Sequence, residues 1–254
     1  MKRKTFAALI LLLSCTICLR AQIIRHTGYT LSYNPQTNNP DWVSWTLTPE
    51  RITGSESRSD DFRGDPSLPP ETRVEAADYK RSGYDRGHMC PAADNRWDPT
   101  AMSECFYMTN MCPQTPALNR RSWKRLEDAC RQWVVREDSL LIVCGPIYSP
   151  LSAESQTQSD TTTTVTPRET IGQRIKITVP TAFFKVILSL KAGHQKAIGF
   201  YYTNTTDSQD LPEAARTVDQ IESLTGLDFF THLADPLEEE LEKECDLTEW
   251  QQPK

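Results

Sequence analysis

His88 closes the stretch Asp85-Arg86-Gly87-His88, and thirty-one residues later Asn119 closes Pro113-Gln114-Thr115-Pro116-Ala117-Leu118-Asn119. A neutral imidazole can take a proton from water near neutral pH, provided that a carbonyl or carboxylate orients its other nitrogen. An asparagine oxygen can bind a hard divalent cation without neutralising it. Mg2+ keeps most of its waters and takes one or two protein oxygens plus phosphate, so one neutral side chain suffices. Together the two groups form a minimal apparatus for hydrolysing a phosphodiester.

Neighbouring residues extend that chemistry. Gly87 permits a tight bend or a close backbone approach to a ligand. Glu127 follows Asn119 by eight residues. On a helix that is about two turns, which puts it on the same side, where it can accept hydrogen bonds from metal-bound water. Arg86 and Arg58 offer guanidinium forks that match phosphate oxygens. Arg120, Arg121, Lys124, Arg125 and Arg131 can track the rest of a strand. Each residue also has a bland explanation when taken singly: a packed imidazole, a capping asparagine, a solvated acid, ordinary surface bases. The argument rests on the set.

Several elements must position these groups. Tyr29, Leu31, Tyr33, Trp42, Val43, Trp45 and Leu47 alternate as strands do, with Asn34-Pro35 and Asn38-Asn39-Pro40 as turns. Residues 52–79 are polar and rich in proline, an excursion over the surface towards the site. Pro91, Pro99, Pro113 and Pro116 prevent long helices between 80 and 119. Ser122 to Arg136 carries an apolar stripe (Trp123, Leu126, Cys130, Trp133, Val134) that predicts a helix. Ser139 to Cys144 reads as a buried strand ended by Gly145-Pro146. Residues 152–164 are Ser/Thr-rich, with nothing to bury, and read as a loop. Ile175 to Val179, Phe183 to Leu190 and Ala197 to Tyr202 predict three strands. Thr217 to Gln220 resembles a capping box opening a short helix that Gly226 stops. Two β-rich halves flank a central loop-and-helix segment, which predicts one mixed α+β domain over residues 22–254.

The chain has 254 residues, a length suited to a single core. Met1-Lys2-Arg3-Lys4 and the apolar run from Thr5 to Cys18 predict a signal peptide over residues 1–21 and therefore export, secreted or periplasmic. The run is too short for a stable membrane span. Leu13-Ser14-Cys15 is a weak lipoprotein box, which would anchor the chain at Cys15. Removing residues 1–21 lowers the basic count from 28 to 24 against 34 acids. A globally acidic protein is a poor general polyanion binder. The charge is uneven, however: Lys80 to Arg136 holds ten bases and six acids, whereas Asp235 to Glu249 holds eight acids and one lysine. The first region would surround the site, and the second would be a solvated tail over about 235–254. Cys90, Cys105, Cys112, Cys130, Cys144 and Cys245 remain after cleavage. They suit either disulfides, whose pairing sequence does not choose, or buried thiols. Asn204-Thr205-Thr206 is a formal glycosylation sequon.

The segments Gly83-Tyr84-Asp85-Arg86-Gly87-His88-Met89, Tyr107-Met108-Thr109-Asn110-Met111-Cys112-Pro113-Gln114 and Leu118-Asn119 through Glu127 resemble the non-specific DNA/RNA endonucleases. These are ββα-metal, or His-Me finger, nucleases that include endonuclease G. The resemblance implies a mainly antiparallel sheet core carrying that motif. It implies His88 as general base, Asn119 as the direct protein ligand of Mg2+ (with Mn2+ as a substitute), and Glu127 ordering the metal's water. It further implies Asn110 supporting the site, Arg86 holding substrate or geometry, and Arg58 as a transition-state arginine. DNA and RNA would be the substrates, cut to 5′-phosphate ends. Two rivals stand beside this reading: a secreted nucleic-acid-binding protein that keeps the scaffold without catalysis, and a phosphodiesterase for small nucleotides. A homodimer and a protein inhibitor are left open.

Overall fold

A computed structural model describes residues 21–148 and 169–251. The signal-peptide and lipoprotein expectations, and the Ser/Thr-rich segment at 152–164, lie outside the described residues, apart from Ala21. The elements run β1 (Gln22–Arg25), β2 (Thr30–Asn34), β3 (Asn39–Leu47), α1 (Pro49–Thr53), β4 (Asp85–His88), α2 (Pro99–Glu104), β5 (Met111–Gln114), α3 (Lys124–Glu137) and β6 (Leu140–Ile147). They continue with β7 (Thr170–Ile171), β8 (Ile177–Thr178), β9 (Ala182–Ser189), β10 (Lys196–Thr203), α4 (Leu211–Ala214), β11 (Ala215–Arg216), α5 (Val218–Thr225), α6 (Asp235–Glu242) and α7 (Leu247–Gln251).

Seven strands form one antiparallel sheet in the order β1-β2-β3-β6-β9-β10-β11, and β4 pairs with β5 in a separate hairpin. The mixed α+β expectation with mainly antiparallel pairing therefore holds. β9 is buried at all eight positions, which explains its nearly unbroken apolar sequence: it lies inside the sheet and is covered on both faces. Phe183 and Ile187 join the core beneath α3, with Trp133, Phe200 and Tyr202. Phe184, Val186 and Leu188 face the other way, towards Val218 and Ile221 of α5 and Leu241 of α6.

Two sequence expectations need correction, and one choice that the sequence left open is settled. Gly145-Pro146 does not end its strand, because β6 continues through Ile147, which pairs with Ala182. Pairing with β3 ends at Cys144, so β6 has a free edge at Pro146, where proline is tolerated. The acidic segment after residue 234 is not a solvated tail. It forms α6 and α7, and Leu241 and Trp250 are buried, the latter against Trp133 at 5.1 Å between ring centroids. Finally, all six cysteines among the described residues are free thiols; five are buried as small hydrophobes and Cys245 is half-buried.

Candidate active site

The β4–β5 hairpin pairs Asp85 with Gln114, Gly87 with Cys112 and His88 with Met111. Gly87 has no bend to make. A Cβ there would lie 2.1 Å from Oε1 of the Gln114 side chain, so the glycine makes room for Gln114, not for a ligand. Arg86 and His88 are two residues apart on a strand and share a face.

Beyond the hairpin, Leu118–Trp123 forms a π-helical turn that runs directly into α3. Such turns widen the helix and are frequent at functional sites. This one is stitched to β4 at both ends. Asn119 Nδ2 donates to Asp85 Oδ2 at 2.9 Å, and the Arg120 guanidinium grips both Asp85 oxygens at 2.8 and 2.7 Å. Three residues along each segment, Trp123 Nε1 donates to the His88 carbonyl at 3.3 Å. Strand and turn thus run side by side, bringing residues 88 and 119 into one region of the molecule. Burial raises the Asp85 carboxyl, but the hydrogen bonds from Arg120 and Asn119 outweigh it and hold the group below the usual carboxylate range. Asp85 is thus an anion that fixes the Asn119 amide and leaves its Oδ1 free to accept.

Arg58, Arg86, Asn119, Arg120 and Lys80 open onto a cleft of about 410 Å3, in which Asp85 is the one carboxylate. Both Arg58 and Arg86 ride on aromatic rings. Arg86 lies 4.0 Å above the Phe62 centroid and Arg58 4.8 Å above that of Phe106. The same two rings wall in His88, at 5.6 and 4.9 Å between centroids. His88 is 8% exposed, does not line the cleft, and has an enclosed Nε2 without a hydrogen-bond partner. The expected orienting carbonyl or carboxylate is therefore replaced by packing between two aromatic rings. Burial, followed by the positive fields of Arg58 and Arg86, pulls the imidazole down to about 3 and keeps it neutral.

The remaining expected residues are placed less directly. Glu127 is half-buried, so it is not a fully solvated acid, and it does not line the cleft. Burial pushes its carboxyl up to about 7, against the opposing pull of Lys185 and Arg131. Asn110 is fully buried and touches no cleft. Its Oδ1 accepts from Cys90 N, and its Nδ2 donates to Cys90 O and Cys105 O, at 2.8–2.9 Å. These bonds hold the bend that follows β4. Arg131 is turned inward to Asp94 and Asp128, so it does not track a strand; Arg125 pairs with Asp210. Asn204 spends its amide on Pro113 O, Pro180 O and Thr115 N, which leaves no free amide nitrogen for a glycan. Phe62, Phe106 and Asn204 were missed in the sequence because no local pattern links them to residue 88 or 119. Asp85 stood inside the motif itself, and its acidity beside Arg86 was the available signal.

A hard cation suits this donor set. Asn119 contributes a neutral oxygen whose geometry Asp85 fixes, and the cleft has room for an ion that keeps its waters.

A two-stranded hairpin and a following helix, with an imidazole on the first strand and an oriented amide at the helix entrance, define a ββα-metal hydrolase of phosphodiesters. The profile described as "DNA/RNA non-specific endonuclease" matches residues 13–236. The chain is 34% identical over 217 residues to human mitochondrial endonuclease G, covering 84% of this chain and 71% of that protein. It is 32% identical over 231 residues to a nuclease of Nostoc sp., covering 86% and 76%. A solved structure of an EndoG/EndoGI complex superposes with a TM-score of 0.74 at 33% identity, covering 84% of this chain and 87% of that one. The chain belongs to the DNA/RNA non-specific endonuclease family, whose members are metal-dependent nucleases.

Proposed function

We propose that this chain is an exported, Mg2+-dependent endonuclease that cuts DNA and RNA with little sequence preference and leaves 5′-phosphate ends. The observation that carries the reading is the double stitching of β4 to the 118–123 turn, beneath a cleft whose charged lining is Arg58, Lys80, Arg86 and Arg120 against Asp85 alone. His88 would take the proton from the attacking water. Arg86 and Arg58, held over the rings of Phe62 and Phe106, would grip phosphate oxygens. Asn119 Oδ1 would be the protein's direct ligand to the ion, and Glu127 would order the ion's water from the helix behind it. When bound, the cation supplies charge compensation on phosphorus and on the departing oxygen. Contacts to phosphate and sugar alone carry no direct sequence information, which accounts for broad substrate use. The reading of export rests on the basic and apolar pattern of residues 1–21; N-terminal sequencing of the protein recovered outside the cell tests it.

Plasmid nicking by the purified protein, with MgCl2 and with EDTA, tests the activity. Nicking that needs Mg2+, and that falls ~10²–10⁴-fold in His88→Ala, is the expected result. Binding without cleavage would support the scaffold-only rival, and cleavage confined to a dinucleotide would support the small-nucleotide one.

A further inference from the structure

Helices α5 and α6 cover the face of the sheet opposite α3. Where they meet, Asp219 and Glu222 lie one helical turn apart on α5, and Glu238 and Glu242 lie one turn apart on α6. One carboxylate oxygen from each of Asp219, Glu222 and Glu242 falls within 4.8 Å of the other two. Oxygens that share an ion at ~2.3–2.6 Å can be that far apart. Like charges so close oppose one another unless a proton or a cation intervenes.

A second observation points to a ligand. Glu242 is 6% exposed, and its Oε1 is enclosed with no hydrogen-bond partner. A buried carboxylate oxygen left unpartnered costs free energy that native structures rarely tolerate. The four charged groups acting on it most strongly are Glu222, Glu238, Asp219 and Asp228, all of them acids. None of these five takes part in an ion pair among the described residues. Lys243, next along the chain, is paired with Glu239. Glu222 is further positioned by Phe229 N, which donates to its Oε1 at 2.7 Å.

We propose that Asp219, Glu222 and Glu242 hold a calcium-sized divalent cation that pins α6 to α5. Three carboxylates on two separate helices suit Ca2+, which accepts six to eight oxygens in flexible geometry. Mg2+ usually takes one or two carboxylates and keeps its waters. The ion would stabilise the fold and take no part in cleavage, since α5 and α6 lie across the sheet from α3.

Thermal unfolding of the full chain tests this, in an Asn119→Ala background so that ions in the cleft do not contribute. CaCl2 alone, up to about 10 mM, exceeds the ~0.1–1 mM range of weak protein calcium sites. At about 100 times Kd the melting temperature should rise by roughly 5–10 °C. Adding Asp219→Asn, Glu222→Gln and Glu242→Gln should abolish the rise. With Asn119 restored, the same three changes should leave nicking at its basal rate. Should the triple variant fail to fold, Glu242→Gln alone decides: it should raise the ion-free melting temperature by relieving repulsion and shift the Ca2+ midpoint at least ~10-fold. No rise in the background, a rise kept in the triple variant, or an unmoved midpoint in Glu242→Gln would overturn the site. An equal rise with MgCl2 would overturn the assignment to a calcium-sized ion.

Discussion

His88 shows how one side chain is both prepared and constrained by its surroundings. Two aromatic rings and two guanidinium groups keep it neutral, with its proton affinity lowered to about 3. That depression has a consequence for stability. The unfolded chain takes up a proton at His88 near pH 6.5, whereas the folded protein does not until about pH 3. Between those values the unfolded state binds more protons, so the native state loses stability as pH falls. The loss is about 1.4 kcal/mol per pH unit from this residue alone. His88→Asn removes the titration, so the melting temperature of the wild type should fall more steeply from pH 6.5 to 4.5 than that of the variant. Parallel slopes would show that the imidazole titrates normally. Asp85 makes the complementary case on the metal side. It is the hydrogen-bond partner of the Asn119 amide and of Arg120. Asp85→Ala frees the amide to rotate and present Nδ2 in place of Oδ1. The half-saturating Mg2+ concentration for nicking should then rise ~10–100-fold, as for other outer-sphere partners of metal ligands. An unchanged Mg2+ titration would remove Asp85 from this role.

The hairpin, the π-turn and α3 act as one element because separate clamps hold them. Asn110 is the deepest of these, closing the bend after β4 through three hydrogen bonds to Cys90 and Cys105. Asn110→Ala would strand one donor and two acceptors in a dry environment. The cost should be about 3 kcal/mol or more in urea unfolding, with faster amide exchange at Cys90; a loss below about 1 kcal/mol would mean that water replaces the amide. Much of this element was legible in the sequence, since Asp85, Gly87, His88, Gln114 and Asn119 are chemically distinct and closely spaced. The walls of the site were not legible. Phe62 and Phe106 are ordinary hydrophobes, and nothing local ties either one to residue 88. For Glu127 the spacing alone was an incomplete guide: eight residues make two turns where every turn is α-helical, and Asn119 sits in the wider π-turn.

Across the whole molecule, the sheet separates two tasks. Its α3 face carries the core on which the site is built, and its other face carries α5 and α6. The C-terminal segment crosses between them, and its net charge hid this in the sequence. Eight acids suggest a solvated tail, yet Leu237 and Leu241 are spaced one turn apart and Trp250 follows. Burial is decided by such apolar positions more than by total charge, because exposed carboxylates can remain in water on the outer face. Trp250 is 1% exposed and packs on Trp133, while Lys196, which pairs with Glu137 at the end of α3, lies 4.8 Å over its ring and donates to Glu249 O. α7 therefore closes the far end of the helix whose near end follows the Asn119 turn. Trp250→Ala leaves a cavity against Trp133 and should cost about 3–5 kcal/mol. The site lies at the opposite end of α3, so Mg2+-dependent nicking at low temperature should stay within about twofold of wild type, because effects on distant sites are usually independent. Loss of nicking in a variant that remains folded would show that α7 positions Asn119 through α3. A melting temperature equal to that of the wild type would show that α7 is not docked in solution.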